Sequence, residues 1–210
     1  PDVGWPELSE AALAIRAGAT YIATNLDKTI PRERGLMVGN GSLVTAVAVS
    51  TGATPLSAGK PEPEIFRAAA ALMEAERPLA IGDNLDTDIK GAVAAGIDSM
   101  HVLTGLASAR DICLAPSDVR PTYLCDDMRG LNEPYPEAAV EGARARVGEA
   151  FAEWTGQGFD VTDAGEAVDV SNGASLALDA YRALVLEAWR AADAGSDVSR
   201  SVGELRVVRL

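Results

Sequence analysis

Residues 78–105 read P-L-A-I-G-D-N-L-D-T-D-I-K-G-A-V-A-A-G-I-D-S-M-H-V-L-T-G, and this stretch restricts the fold more than any other. Leu79, Ala80 and Ile81 form a short apolar run, Gly82 breaks it, and Asp83, Asp86 and Asp88 follow. A helical pattern over residues 89–95 then stops at Gly96, and a second apolar run spans residues 99–103. Strand, acidic turn, helix and strand make a β-α-β unit, whose crossover is right-handed and whose strands are parallel. In such sheets ligands bind beyond the carboxyl ends of the strands, where these aspartates fall. Three carboxylates within six residues repel one another, and a hard cation relieves that cost. Mg²⁺, with its preference for oxygen ligands, water and phosphate, suits them. The competing reading is that Asp86 or Asp88 only caps the helix.

Upstream lies Ser57-Ala58-Gly59-Lys60-Pro61-Glu62-Pro63-Glu64-Ile65-Phe66. Prolines at 61 and 63 are tolerated in a first helical turn, and Glu62 and Glu64 suit the dipole there. A helix over residues 65–76 is expected, with Ile65, Ala69 and Leu72 on one face. Lys60 then projects from a strand end, and the next strand carries Asp83. Two successive strand ends of one sheet are expected to set a lysine beside an acidic cluster, as a site for a phosphate and its metal requires. The alternative for Lys60 is an ordinary surface lysine.

Gly59-Lys60-Pro61 followed by Gly82-Asp83-Asn84-Leu85-Asp86-Thr87-Asp88-Ile89 resembles the third and fourth motifs of the haloacid-dehalogenase-like phosphatases. Ala23-Thr24-Asn25-Leu26-Asp27, Pro31, Arg34-Gly35-Leu36 and Gly39-Asn40-Gly41-Ser42 are similar to the large-cap, NagD or p-nitrophenylphosphatase-like branch, glycerol-3-phosphate phosphatases included. The resemblance covers about residues 1–135. It implies a Rossmann-like core, Mg²⁺, and hydrolysis of small phosphomonoesters such as glycerol 3-phosphate through an aspartyl-phosphate. By the same resemblance Asp83 and Asp88 serve the metal, with Asp86 a third candidate. Lys60 and Asp88 are the catalytic pair, and Asn25, Asp27 and Lys60 meet the substrate.

The family's D-x-D-G-T nucleophile motif has no match. Its nearest candidate, Asn25-Leu26-Asp27-Lys28-Thr29, puts an amide at the nucleophile position and stands too close to Lys60 to leave room for a cap. That segment is therefore read as a loop of the cap itself. Since the chain also opens at Pro1 rather than Met, the expectation is a carboxyl-terminal portion whose nucleophile lies upstream. A binding or regulatory module that keeps the metal-phosphate pocket without turnover is the alternative.

With 210 residues, 48% of them hydrophobic, the chain can bury a real core. A net charge of −13 opposes nucleic acid and anionic membranes, and no apolar run approaches the length of a membrane span. Cys113 and Cys125 make neither a disulfide framework nor a zinc site, so reduced, cytoplasmic thiols are expected. The single histidine, His101, falls in a presumed strand, which leaves little room for a Ser-His-Asp hydrolase.

The expected architecture is α/β in three parts: the end of a cap (1–54), the second half of the core (55–137) and a small α+β extension (138–210). In the first part a helix over residues 5–17 with Leu8, Ala11, Ala12 and Ile15 on one face is followed by a short strand and an Asx-type turn at Asn25 and Asp27. Gly39-Asn40-Gly41-Ser42 precedes an apolar helix, 43–49, and capping by Asn40 or Ser42 explains that turn as well as phosphate binding does. Residues 122–125 read as a further core strand. In the extension, a hairpin of 159–161 with 167–170 precedes an amphipathic helix bearing Leu176, Tyr181, Leu184, Val185, Ala188 and Trp189, and residues 204–208 suggest a last strand. Core packing is the first reading of that stripe, a homodimer interface the second.

Overall fold

The computed structural model describes residues 3–209. Helix α1 (Trp5–Arg16) takes Pro6 in its first turn and ends before Gly18, whose φ of +100° needs a residue without a side chain. Leu8, Ala11, Ala12 and Ile15 are half-buried against α2 (Asn40–Thr51), which closes with Gly52 in the left-handed conformation. Between these helices come β1 (Ile22–Ala23) and an antiparallel hairpin of β2 (Thr29–Arg32) and β3 (Gly35–Val38), exposed throughout. After α2, β4 (Leu56–Ser57) pairs in parallel with β1.

The β-α-β unit forms as the apolar pattern requires. Strand β5 (Leu79–Gly82) leads through a π-helical turn, Leu85–Ile89, into α4 (Lys90–Ala95) and then β6 (Asp98–Val102). Short helix α5 (Ala109–Cys113) precedes β7 (Tyr123–Cys125), and the three strands form a parallel sheet in the order β5-β6-β7. Helix α3 (Glu64–Leu72) packs on α4, where Gly91 lets Phe66 approach: a Cβ at 91 would lie 2.3 Å from the ring. One expectation is corrected. Strands β4 and β5 do not belong to one sheet among the described residues, since β4 pairs with β1 alone and β5 with β6 alone.

The extension is a five-stranded antiparallel sheet, β8 (Ala138–Glu141), β9 (Arg144–Val147), β10 (Ala150–Trp154), β11 (Phe159–Asp163) and β12 (Glu166–Val168), in sequential order. Helix α6 (Leu178–Asp193) lies on it, and β13 (Ala174–Ala177) pairs in parallel with β14 (Leu205–Val208). Tyr181, Leu184, Val185 and Ala188 are wholly buried, so the stripe of α6 is core. Leu176 belongs to β13 rather than to the helix. Strands β8, β9 and β10 escape sequence reading because Ala, Arg and Glu, poor strand formers, occupy most of their positions. The extension's core is continuous with that of the preceding sheet: Ala109, Ile112 and Cys113 of α5 and Leu124 of β7 share one buried cluster with Val161, Tyr181, Leu184 and Val202.

Candidate active site

Lys60 follows β4 and places its ammonium between two carboxylates, 2.7 Å from Asp88 Oδ1 and 3.9 Å from Asp27 Oδ2. Burial by itself draws the lysine's pKa down. The hydrogen bond and charge of Asp88, with the charges of Asp27 and Asp83, outweigh it, and the net displacement is upward. The ammonium is therefore held charged where a phosphate would need it.

The loop carrying Asn25 and Asp27 reaches this point because three glycines admit it. A Cβ at Gly59 would lie 1.8 Å from Thr24 O, one at Gly41 2.2 Å from Leu26 O and one at Gly39 2.3 Å from Asp27 O. Asp27 N–H donates to Asn25 Oδ1 at 3.2 Å, forming the expected Asx turn, and Leu26 N–H donates to Lys60 O at 3.3 Å. Asn40 and Ser42 do not cap α2, which begins after Gly39 with no side-chain cap. Instead Asn40 Nδ2 donates to Asn25 O at 2.8 Å and Ser42 Oγ to Lys28 O at 2.7 Å, tying the loop to the start of the helix. Asp27 Oδ1 is buried without a hydrogen-bond partner among the described residues.

The acidic turn separates its three aspartates. Asp88, inside the π-helical turn, accepts from Lys60 on Oδ1 and from Asn84 N–H on Oδ2 at 3.3 Å. Gly82 makes the room, since a Cβ there would meet the Asp88 carboxylate at 2.5 Å. Asp86 is exposed, and its N–H is capped by Asn84 Oδ1 at 3.0 Å. Asp83 is held from the loop after β6: Leu106 N–H donates to its Oδ2 at 2.8 Å and Ala107 N–H to its carbonyl at 3.0 Å. Gly105 allows that approach, because a Cβ there would lie 1.6 Å from Asp83 Oδ2. His101, fully buried in β6, has Nε2 3.3 Å from Asp83 O, so the strand histidine props the aspartate's backbone. Among the described residues no three His, Cys, Asp or Glu side chains converge as a complete metal cage. Asp88 is tied to Lys60 and Asn84, which leaves one oxygen of Asp83 and the exposed Asp86 carboxylate to offer a donor. That donor fits a hard cation only as part of a shell completed by water, phosphate or other polypeptide. Sequence reasoning missed Gly105, Leu106 and Ala107, whose roles rest on backbone approach rather than on side-chain chemistry.

A lysine after β4 and separated aspartates after β5 thus meet at the carboxyl ends of strands from two small parallel sheets. Residues 57–131 match the family described as HAD-hydrolase-like, so this segment is similar to the haloacid-dehalogenase-like hydrolases. It is 50% identical over 137 residues to the D-glycerol 3-phosphate phosphatase of Mycobacterium tuberculosis, a match covering 65% of this chain and 39% of that protein. It is 41% identical over 137 residues to an acid sugar phosphatase of Staphylococcus aureus, covering 64% of this chain and 51% of the relative. The crystal structure of a glycerol phosphate phosphatase from M. tuberculosis in complex with magnesium superposes with a TM-score of 0.68 at 36% identity. That match covers 100% of this chain, extension included, and 57% of the solved one. The chain thus spans between about two fifths and three fifths of the length of these relatives.

Proposed function

We propose that these residues form the metal- and lysine-bearing part of a Mg²⁺-dependent phosphatase for small phosphomonoesters, glycerol 3-phosphate among them. The observation that carries the reading is the Lys60–Asp88 ion pair at 2.7 Å, set beside an Asp83 carboxylate that keeps one oxygen available. Asp83 would hold Mg²⁺ directly or through water. The ion, when bound, neutralises phosphoryl oxygens and orients them for in-line attack. Lys60 supplies a fixed positive charge to the transferring phosphoryl group and to the attacking carboxylate. Asp88 steers that ammonium and does not itself react. Asn25 and Asp27 meet the substrate from the cap side. The similarity to a glycerol phosphate phosphatase and to an acid sugar phosphatase supports the same substrate class.

The nucleophile is proposed to come from polypeptide upstream of these residues. Strand β5 has a free edge among the described residues, with Leu79 37% exposed. A cleft of about 480 Å³ opens on the sheet, lined by Leu79, Met100, Tyr123 and Leu131. An apolar groove between α1 and α2 leaves Trp5 85% exposed. Such surfaces suit burial against further chain. Free, buried Cys113 and Cys125 suit a reducing, cytoplasmic setting.

The test is hydrolysis of p-nitrophenyl phosphate by residues 1–210 alone and by the same residues joined to their upstream segment. The isolated chain is expected to show no Mg²⁺-dependent turnover above background and poor solubility, and the joined protein to turn over. Robust turnover by the isolated chain, abolished by Asp27→Asn, would place the nucleophile inside it and overturn this reading. Metal and phosphate binding by the joined protein without turnover would favour the binding-module alternative.

A further inference from the structure

We propose that the carboxyl-terminal extension positions the metal aspartate, and that Arg110 is the positioning residue through which it does so. The proposal rests on the reading of Asp83 as a Mg²⁺ ligand.

Asp83 owes its orientation to residues 103–108, which donate both Leu106 N–H and Ala107 N–H to it. Residues 104–106 are exposed, so packing does not hold them in place. Their geometry depends on the two ends of the segment. At one end, Leu103 N–H donates to the carbonyls of Cys125 and Asp126, at 3.2 and 3.1 Å. At the other end the segment runs straight into α5, through the capping box of Ser108 and Asp111.

Helix α5 has five residues, too few to be stable by its own hydrogen bonds. What holds it is the extension. Arg110 Nε donates to Val202 O and Nη2 to Ser199 O, both at 2.8 Å, so one guanidinium fork clasps the segment between α6 and β14. On the next turn Trp189 Nε1 of α6 donates to Ile112 O at 2.7 Å. Ala109, Ile112 and Cys113 are buried in the extension's own core, and Leu85, Leu103 and Ala107 pack against that same cluster. Residues on both sides of Asp83 therefore rest on the extension. Removing the Arg110 fork frees the first turn of α5 and, with it, the two amides that aim the carboxylate.

The test is amide hydrogen exchange on the full polypeptide, read with its Mg²⁺ dependence. Arg110→Ala is expected to speed exchange at Leu106 and Ala107 at least about tenfold while β10 amides change less than about twofold. The Mg²⁺ concentration for half-maximal activity should rise severalfold with little change in KM for the phosphomonoester. Arg110→Lys, which keeps one donor and disturbs folding less, should show the same pattern at about a third of the size. Unchanged exchange at Leu106 and Ala107, or exchange that rises equally in β10, overturns the proposal. Faster local exchange with unaltered Mg²⁺ dependence overturns instead the assignment of Asp83 to the metal.

Discussion

Lys60 and Asp88 stand 28 residues apart in sequence and 2.7 Å apart in space, the lysine following a strand of one small sheet and the aspartate a strand of another. Nothing in the backbone pairing joins those sheets among the described residues, so the ion pair bridges them. The lysine side chain is 38% exposed and open to an incoming anion.

Lys60→Met should therefore lower turnover of the complete enzyme by about 10²-fold or more, the scale of losing one preorganised charge stabiliser. Steady-state kinetics at saturating Mg²⁺ check it. A loss of only a few fold would return Lys60 to the role of a surface lysine.

Asp83→Asn and Gly105→Ala should fail in the same way. The first replaces the carboxylate with a neutral amide. The second puts a methyl where Asp83 Oδ2 now lies, 1.6 Å from the ideal Cβ position, and must push the carboxylate aside. Both are expected to raise the Mg²⁺ requirement, and Gly105→Ala, whose methyl would also lie 2.6 Å from Asp83 Cβ, is expected to lower thermal stability as well. Magnesium titrations of activity, paired with melting curves, separate the two effects.

Glu187 is wholly buried on α6, where it accepts Trp154 N–H of β10 at 3.0 Å and a forked pair from Arg190 at 2.8 Å. Glu187→Ala leaves a strand amide unsatisfied and should cost about 1–3 kcal/mol. Glu187→Gln, which can still accept that bond, should cost less. Denaturant midpoints for the two variants provide the comparison.

Burial raises the phenol pKa of both Tyr181 and Tyr135. The unfolded chain ionises these groups near pH 10, while the folded chain keeps them protonated. Their contribution is fully present below that pH and is lost as pH rises through the folded values, so stability should fall above about pH 10. The Tyr181 hydroxyl also has no hydrogen-bond partner among the described residues. Tyr181→Phe should thus be neutral or stabilising, and should flatten the alkaline fall measured by urea unfolding.

Much of the site is legible in the linear chain because its chemistry is local. Asp83, Asp86 and Asp88 follow one apolar run, Lys60 precedes one helix, and Asn25 and Asp27 close one Asx turn. Short apolar runs likewise mark β5, β6 and β7, alternation marks β11, and the stripe of α6 repeats at helical spacing. The same local logic offered Asn40 and Ser42 as caps, whose types suit that role but whose hydrogen bonds go to a loop some fifteen residues upstream.

What the sequence determined by itself was the inventory: which residue types stand at which strand ends, and hence the class of chemistry. Tertiary structure alone decided their pairing. Asp88 belongs to Lys60 and Asp83 to the 103–108 segment because Gly82 and Gly105 let backbone and carboxylate approach, a demand that glycine meets silently. It also decided that the extension shares its core with α5, since that contact joins residues about 90 positions apart, such as Arg110 and Val202, and no local pattern records a partner so distant.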